Sequence, residues 1–224
     1  MPKPNHRSAY AADAAFMKRV EAQQRKSAPS SKSDEAGAAV APPPRSSART
    51  RAHKVKQRNM ESRFDSVLFD EQTGSLTVTF TGAALLGLNM MLRMHDAEAT
   101  GLKATWKKRV EALTYENREL QALWMKAAKF PLIVEEVYVT AERMTLDAEG
   151  VCAACKPIID SFVRCGWIPD DNTRYLAHPI PYTFRGTNPG VVITFRPAPQ
   201  PFGLISTSTI DAAKAIRPYP GSLS

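Results

Sequence analysis

The chain has 224 residues, with 30 Lys or Arg against 22 Asp or Glu and a net charge of +8. This length admits one domain with long tails or two small domains. The sequence contains neither an apolar stretch near the roughly 20 residues of a bilayer-spanning helix nor a secretory signal pattern, so we expect a cytoplasmic protein with no membrane partner. Three cysteines fit that compartment better than a disulfide framework does.

The positive charge is concentrated in the first 60 residues. These contain thirteen Lys or Arg and four acidic residues, a net +9, which leaves −1 for the remaining 164. The middle of this region has too few large apolar residues to offset the entropy of ordering. We therefore expect residues 1–62 to form a disordered basic tail. Such an arm is typical of nucleic-acid binders, although a solubilising tail or an incorrectly assigned start codon also explains it.

Residues 63–197 show the periodicities of a small α/β (α+β) domain. Two β-prone runs flank the turn EQTGS, and apolar residues alternate with threonines in the second run, which predicts a hairpin. After a loop or short helix, apolar residues at helical spacing predict one amphipathic helix of at least five turns over residues 102–129. The next run predicts a strand that ends near Leu146.

A second helix is predicted over GVCAACKPIIDSFVRC, with Gly166 at its carboxyl cap and Pro157 at a kink or in its first turn. Two further strands flank a GTNPG turn, and residues 198–224 form a C-terminal extension with little predicted structure. The expected order is β-β-α-β-α-β-β, a small mixed sheet with two main helices. Cys152 and Cys155 lie one helical turn apart among apolar residues, so we interpret CAAC as core rather than as a redox or zinc site.

Two pairs of acidic residues flank the second helix. Asp147 and Glu149 follow the predicted strand, at the sheet edge where α/β proteins hold their sites, and an extended chain points both side chains the same way. Asp170 and Asp171 follow the helix, which at 1.5 Å per residue separates the pairs by about 25 Å. The pairs meet only if the chain doubles back, which spacing does not decide. Taken singly, such acids are ordinary solvated residues.

If the acids converge, they place three or four carboxylates beside Lys156. Such a cluster suits Mg²⁺ or Mn²⁺, which prefer oxygen ligands. Two such ions clamp the attacking water and the leaving oxygen of a phosphodiester, while a lysine stabilises the developing charge. Lys156 and Asp160 are four residues apart, so an ordinary helix ion pair is the alternative for both. We interpret Asp160 as structural.

The segment LDAEGVCAACKPIIDSFVRCGWIPDDNTRYL resembles the core of the RusA-like crossover junction endodeoxyribonucleases, the Holliday junction resolvases common in bacteriophages and prophages. That family's pattern is D-x-D-N-L, a few residues, Lys, three residues and Asp-x-Leu, then a Gly-containing turn and Asp-Asp. The step of seven residues to the lysine fits the phage branch. The matching positions are Asp147, Glu149, Lys156, Asp160, Gly166, Asp170 and Asp171.

The resemblance implies a RusA-like fold and a Mg²⁺-dependent endonuclease, with Mn²⁺ possible, that resolves branched DNA in recombination and repair as a homodimer. It implies that Lys156 stabilises the transition state and that the metal ligands are Asp147, Glu149 and Asp171, with Asp170 nearby. Two departures, Glu149 for the usual Asp and Gly150 for the usual Asn, favour the alternative of a weakened or inactive DNA-binding protein. A phage accessory protein with merely solvated acids is a third reading.

The resemblance extends over residues 76–196. The stretch LNMMLRMH looks like the family's Asn-containing loop leading to a His, which makes Asn89 and His95 candidate DNA contacts, although a lone His is more often structural. Four basic residues on the first helix form either a solvated face or a phosphate track. They are Lys103, Lys107, Lys108 and Arg109.

Overall fold

A computed structural model describes residues 48–142 and 145–216, and this part of the chain forms a five-stranded mixed sheet with six helices. The predicted α+β class is confirmed. The helices are α1 (Ala48–Arg58), α2 (Leu88–Met91), α3 (Asp96–Glu116), α4 (Arg118–Ala127), α5 (Ala148–Arg164) and α6 (Thr207–Lys214). The strands are β1 (Ser66–Asp70), β2 (Ser75–Thr81), β3 (Leu132–Thr140), β4 (Leu176–Arg185) and β5 (Gly190–Pro197).

The sheet has the order β1-β2-β5-β3-β4. The pairs β1–β2, β2–β5 and β3–β5 are antiparallel, and only β3–β4 is parallel. A parallel pair needs a crossover, and α5 supplies it. Strand β4 is the last strand in this order and therefore lies at an edge of the sheet. It contains Pro179 and Pro181, which lack the N–H donor that pairing on both sides would need, and an edge position tolerates this lack.

The core lies between the sheet and the helices α3, α4 and α5. The alternation predicted for β2 is confirmed, since Leu76, Val78 and Phe80 are fully buried and the intervening threonines face the other way. Three tryptophans, one each from α3, α4 and the segment after α5, are essentially fully buried against this face. Aromatic rings meet edge to face across it, as in the contact between Phe80 and Trp106 at 5.4 Å. These contacts fix the helices on one side of the sheet.

The predicted helix over residues 102–129 is two helices. The first begins earlier, at Asp96, and the chain leaves helical geometry at Asn117, whose φ and ψ are −123° and 35°. The Leu113 carbonyl accepts both the Asn117 backbone N–H at 3.1 Å and the Asn117 side-chain amide at 2.8 Å, and these two bonds close the end of α3. Helical periodicity missed this break because apolar residues continue at similar spacing on both sides of it.

Three predicted boundaries differ from the structure. The tail was expected to reach residue 62, but α1 occupies part of that range, with Ala52 buried in the core and Asn59 bonded in both directions to the Ala84 backbone. The C-terminal extension contains α6, and β3 ends at Thr140 rather than near Leu146. Residues 1–47 of the predicted tail and residues 217–224 lie outside the described residues. No described helix is both long and apolar enough to span a membrane.

A buried ion pair joins α3 to the hairpin of β1 and β2. Arg109 donates to both carboxylate oxygens of Asp65 at 2.6 Å and to the Thr81 carbonyl at 2.8 Å, with the two charged side chains 1% and 3% exposed. The guanidinium also lies over the Phe80 and Trp106 rings. Such geometry holds a buried pair together, whereas loss of one partner leaves an uncompensated charge.

Replacing Arg109 with Leu should lower the free energy of unfolding by about 3–5 kcal/mol, because Asp65 is left buried without its cation. The exposed neighbour Lys108 provides a matched control, and Lys108→Leu should change stability by about 0.5 kcal/mol or less. Urea denaturation followed by tryptophan fluorescence measures both. Equal effects of the two substitutions would show that the ion pair does not hold the hairpin.

Glu136 is a buried acid on the helix side of β3. Its side chain is 2% exposed, and its Oε2 has no hydrogen-bond partner among the described residues. Burial raises the pKa of Glu136 to about 8, from an ordinary value of 4.5. The acid is therefore protonated in the folded protein at neutral pH, and unfolding releases its proton.

Stability should fall as the pH rises from about 4.5 to about 8, because the folded form binds a proton at Glu136 that the unfolded chain has lost. The Glu136→Gln variant lacks this proton linkage. Its advantage in unfolding free energy should grow across this interval toward about 5 kcal/mol, at about 1.4 kcal/mol per pKa unit, and should vanish near pH 4.5. Chemical denaturation at a series of pH values tests this, and a pH-independent difference would contradict it.

Candidate active site

Asp147 caps the amino end of α5. Its backbone is extended, and its Oδ1 accepts a hydrogen bond from the Gly150 N–H at 2.8 Å, so the cap satisfies one of the N–H groups left unpaired in the first turn. A Cβ on residue 150 would lie 2.6 Å from this oxygen. Gly150, where the resemblance expects Asn, therefore leaves room for the Asp147 cap.

Glu149 lies in the first helical turn and not in extended chain, so the expected same-side alternation with Asp147 is wrong. Six residues separate the end of β3 from Asp147, whereas the predicted strand ran directly into Asp147. The Glu149 side chain is exposed and faces an open depression of about 490 Å³ between α5 and the edge strand β4. The depression is also lined by Cys152, Lys156, Pro179 and Pro181.

The chain reverses direction directly after α5. Gly166 adopts a φ of +77°, its N–H donates to the Val163 carbonyl at 3.1 Å, and the Trp167 N–H donates to the Phe162 carbonyl at 3.0 Å. This pair of bonds is the Schellman cap, and the accompanying apolar contact is present as Trp167 on Phe162. The predicted glycine cap at residue 166 is confirmed.

Side chains from α3 and α4 hold this reversal in place. The Trp124 indole donates to the Trp167 carbonyl at 2.8 Å, and the Gln121 amide donates to the Cys165 carbonyl at 2.7 Å. The Trp167 indole in turn donates to the Thr114 hydroxyl at 2.7 Å. The segment that follows therefore leaves the helix end in one defined direction, back along α5.

Lys156 and Asp171 meet as a result. The Lys156 ammonium donates to Asp160 Oδ1 at 2.7 Å and to Asp171 Oδ2, so the chain does double back to the middle of α5. Partial burial opposes the charge on Lys156, but the bonds to the two acids outweigh it and raise its pKa. The bond from Lys156 lowers the pKa of Asp171. Both groups are therefore charged throughout the neutral range.

Asp170 stabilises the turn itself. Its Oδ1 accepts the Asp171 N–H at 2.8 Å, and its Oδ2 accepts the Asn172 side-chain amide. Short acidic side chains commonly hold turns in this way. Asp170 is adjacent to Asp171 in the chain, but both of its oxygens are engaged within the turn.

The donor atoms near Lys156 suit a divalent ion in type but not in arrangement. Carboxylate oxygens are the right donor type, Glu149 and Asp171 are exposed, and Lys156 holds only one of the two Asp171 oxygens. Within residues 48–142 and 145–216, no three His, Cys, Asp or Glu side chains are gathered around one point. The described side chains of Asp147, Glu149 and Asp171 therefore do not form a preassembled site for a metal ion.

The candidate DNA contacts fall into two groups. Asn89 is exposed on α2, which packs against α5, and His95 is exposed at the amino cap of α3, where its side chain makes no capping bond. Lys103 and Lys107 are exposed on α3 and line a groove against α5, whereas Lys108 lines a separate groove against α1. The predicted track is thus divided between two sides of α3.

Arg109 does not belong to that track. Its guanidinium is buried in the ion pair with Asp65, so it presents no charge to a ligand. Sequence analysis also missed Arg164, which is exposed four residues after Asp160 and lines the same groove as Lys103 and Lys107. The spacing of Lys156, Asp160 and Arg164, four residues at each step, was the signal for one shared helix face.

Neither a family model nor a curated protein sequence matches this chain.

The reversal after α5 should depend on the conformational freedom of Gly166. Gly166→Ala forces a side chain into left-handed geometry and should lower the unfolding free energy by about 1–2 kcal/mol. Gly101→Ala in α3 provides a control of opposite sign, because alanine favours a helix by about 1 kcal/mol and the added methyl meets only the flexible end of Lys56. Urea denaturation distinguishes them, and no loss in the Gly166 variant would refute the requirement.

Proposed function

We propose that the chain is a metal-dependent endonuclease of RusA-like type that hydrolyses phosphodiesters in branched DNA such as Holliday junctions. The observation that carries this proposal is the contact between Lys156 and Asp171. These residues are fifteen positions apart and match the family's lysine and last acid, and the fold brings them together. An exposed acid, Glu149, lies two turns away along the same helix, beside the same depression as Lys156.

In this proposal Asp147, Glu149 and Asp171 hold Mg²⁺ or Mn²⁺, with Asp170 positioning Asp171 through the turn. A bound divalent ion supplies Lewis-acid stabilisation of the phosphate and an activated water. The chain's own contribution is Lys156, whose raised pKa keeps it protonated. Its ammonium is placed to donate to a non-bridging phosphate oxygen, where negative charge increases in the transition state.

A homodimer follows from the substrate. Resolution of a four-way junction requires two nicks related by a two-fold axis, and two copies of one site related by the same symmetry provide them. Multi-angle light scattering on the purified chain should give twice the mass of one chain. A monomer at all accessible concentrations would contradict this part of the proposal.

A second candidate function is binding of branched DNA without cleavage. The observation that favours it is the structural use of each acid, since Asp147 caps a helix, Asp170 holds a turn and Asp171 neutralises Lys156. These roles stabilise the fold without any metal. DNA binding then depends on the exposed lysines alone, and added Mg²⁺ or Mn²⁺ yields no product.

Cleavage of a labelled synthetic four-way junction in Mg²⁺ or Mn²⁺ tests the proposal. The natural chain should produce paired symmetric nicks, and Asp171→Asn should reduce their rate by about a hundredfold or more, the usual effect of removing one stabilising group from a hydrolytic site. Lys156→Gln should reduce it comparably.

Asp160→Asn is the matched control. Asp160 is the other acid bonded to Lys156. Its replacement removes one negative charge from beside Lys156, as Asp171→Asn does, but it removes no proposed metal ligand. This variant should cleave within a few-fold of the natural chain. Binding of the junction without nicks under either ion would favour the second candidate, and equal losses in the Asp160 and Asp171 variants would remove the special role of Asp171.

A further inference from the structure

The groove between α3 and α5 is lined by basic side chains from both helices. Its volume is about 230 Å³, and Lys103 and Lys107 from α3 face Arg164 from α5 across it. All three side chains are exposed. Two helices thus contribute cations to one narrow space, which is more specific than a row of lysines on a single solvated helix face.

The cations of this groove are largely uncompensated. Lys107 has a half-exposed partner in Glu111 at 3.5 Å, a pair that contributes little. Asp160 also lines the groove, and one of its two carboxylate oxygens is held by Lys156, so the three cations of the groove outnumber its acids. Within the described residues, no carboxylate lies at ion-pair distance from Lys103 or Arg164. A small anion with several oxygens, such as a phosphodiester, is the ligand that this charge distribution suits.

The groove and the candidate active site lie on one ridge of α5. Glu149, Lys156, Asp160 and Arg164 follow one another at steps of seven, four and four residues, which places them on the same face of the helix. Lys156 and Arg164 are eight residues apart, or about 12 Å along the axis. The rise along a duplex axis is about 3.4 Å per nucleotide of one strand, and the strand also winds around that axis, so this distance spans at most about three or four nucleotides.

We infer that the groove between α3 and α5 binds a backbone phosphate of a DNA arm within about four nucleotides of the phosphate that is cut. Arg164 and Lys103 are its principal ligands, because neither has an acidic partner among the described residues, and the planar guanidinium of Arg164 suits bidentate donation to phosphate oxygens. This inference rests on the proposed function for the position of the cut, but the groove binds DNA whether or not the chain cleaves it. Lys108, on the other side of α3, takes no part.

The experiment compares the natural chain with the double variant Arg164→Gln/Lys103→Gln. Affinity for a synthetic four-way junction is measured by fluorescence anisotropy over a range of salt concentrations, in Ca²⁺ to prevent turnover. Each lost phosphate contact lowers the slope of log affinity against log salt by about 0.9. The groove binds one phosphate, so the double variant should lose about 0.9 from the slope and bind roughly tenfold more weakly at moderate salt.

The control is Lys126→Gln/Lys129→Gln, which removes the same charge from two exposed lysines at and just after the carboxyl end of α4. Its slope and affinity should stay near those of the natural chain. Circular dichroism melting verifies that both double variants are folded. Equal losses of affinity in the two double variants would mean that only net charge matters, and would overturn the proposal that the groove binds a phosphate.

Neutral phosphates test the distance. On arms of about ten base pairs the groove variant should bind more weakly when all phosphates are natural. On arms of the same length whose phosphates near the cut, up to about four nucleotides away, are replaced by neutral methylphosphonates, it should equal the natural chain. An equal loss on both substrates would overturn the inference. Binding that depends on the groove without any cleavage would refute only the nuclease proposal, and absence of junction binding by the natural chain would refute both.

Discussion

The reversal of the chain at Gly166 and Trp167 is the constraint on which the candidate site depends. A helix of seventeen residues would otherwise carry the acids after it away from the acids before it. The left-handed glycine turns the chain, and the buried Trp167 prevents it from turning elsewhere, because its backbone carbonyl and indole are both bonded to residues of α3 and α4. Lys156 then meets Asp171 as a consequence of core packing and not of any local attraction.

This dependence explains how far the sequence could be interpreted. Alternation in β2, the helix α5 and its glycine cap were all predictable, since each rests on neighbours within a few residues. The meeting of Lys156 with Asp171 was not, because the hydrogen bond that directs the chain comes from Trp124, 43 residues before its acceptor. Local spacing gave only the upper limit on the separation of the two acid pairs.

Adjacent basic residues show the same limit in another form. Lys107, Lys108 and Arg109 are consecutive on α3, yet the first faces α5, the second faces α1 and the third is buried against Asp65. A helix turns by about 100° per residue, so a run of charge in the sequence becomes three different environments. Periodicity indicates which residues share a face but not what covers that face. Gly150 shows the same limit, because local spacing does not reveal that its small size leaves room for the cap that Asp147 forms.

The two prolines of β4 affect how the sheet can pair with other strands at this edge. They lie two residues apart and so face the same way along the edge, where a neighbouring strand would need N–H groups to pair with. An edge without those donors is a poor template for strand addition. The same prolines that line the depression beside α5 therefore protect this edge of the sheet against strand addition by other copies of the chain, a form of resistance to aggregation at the border of the candidate site.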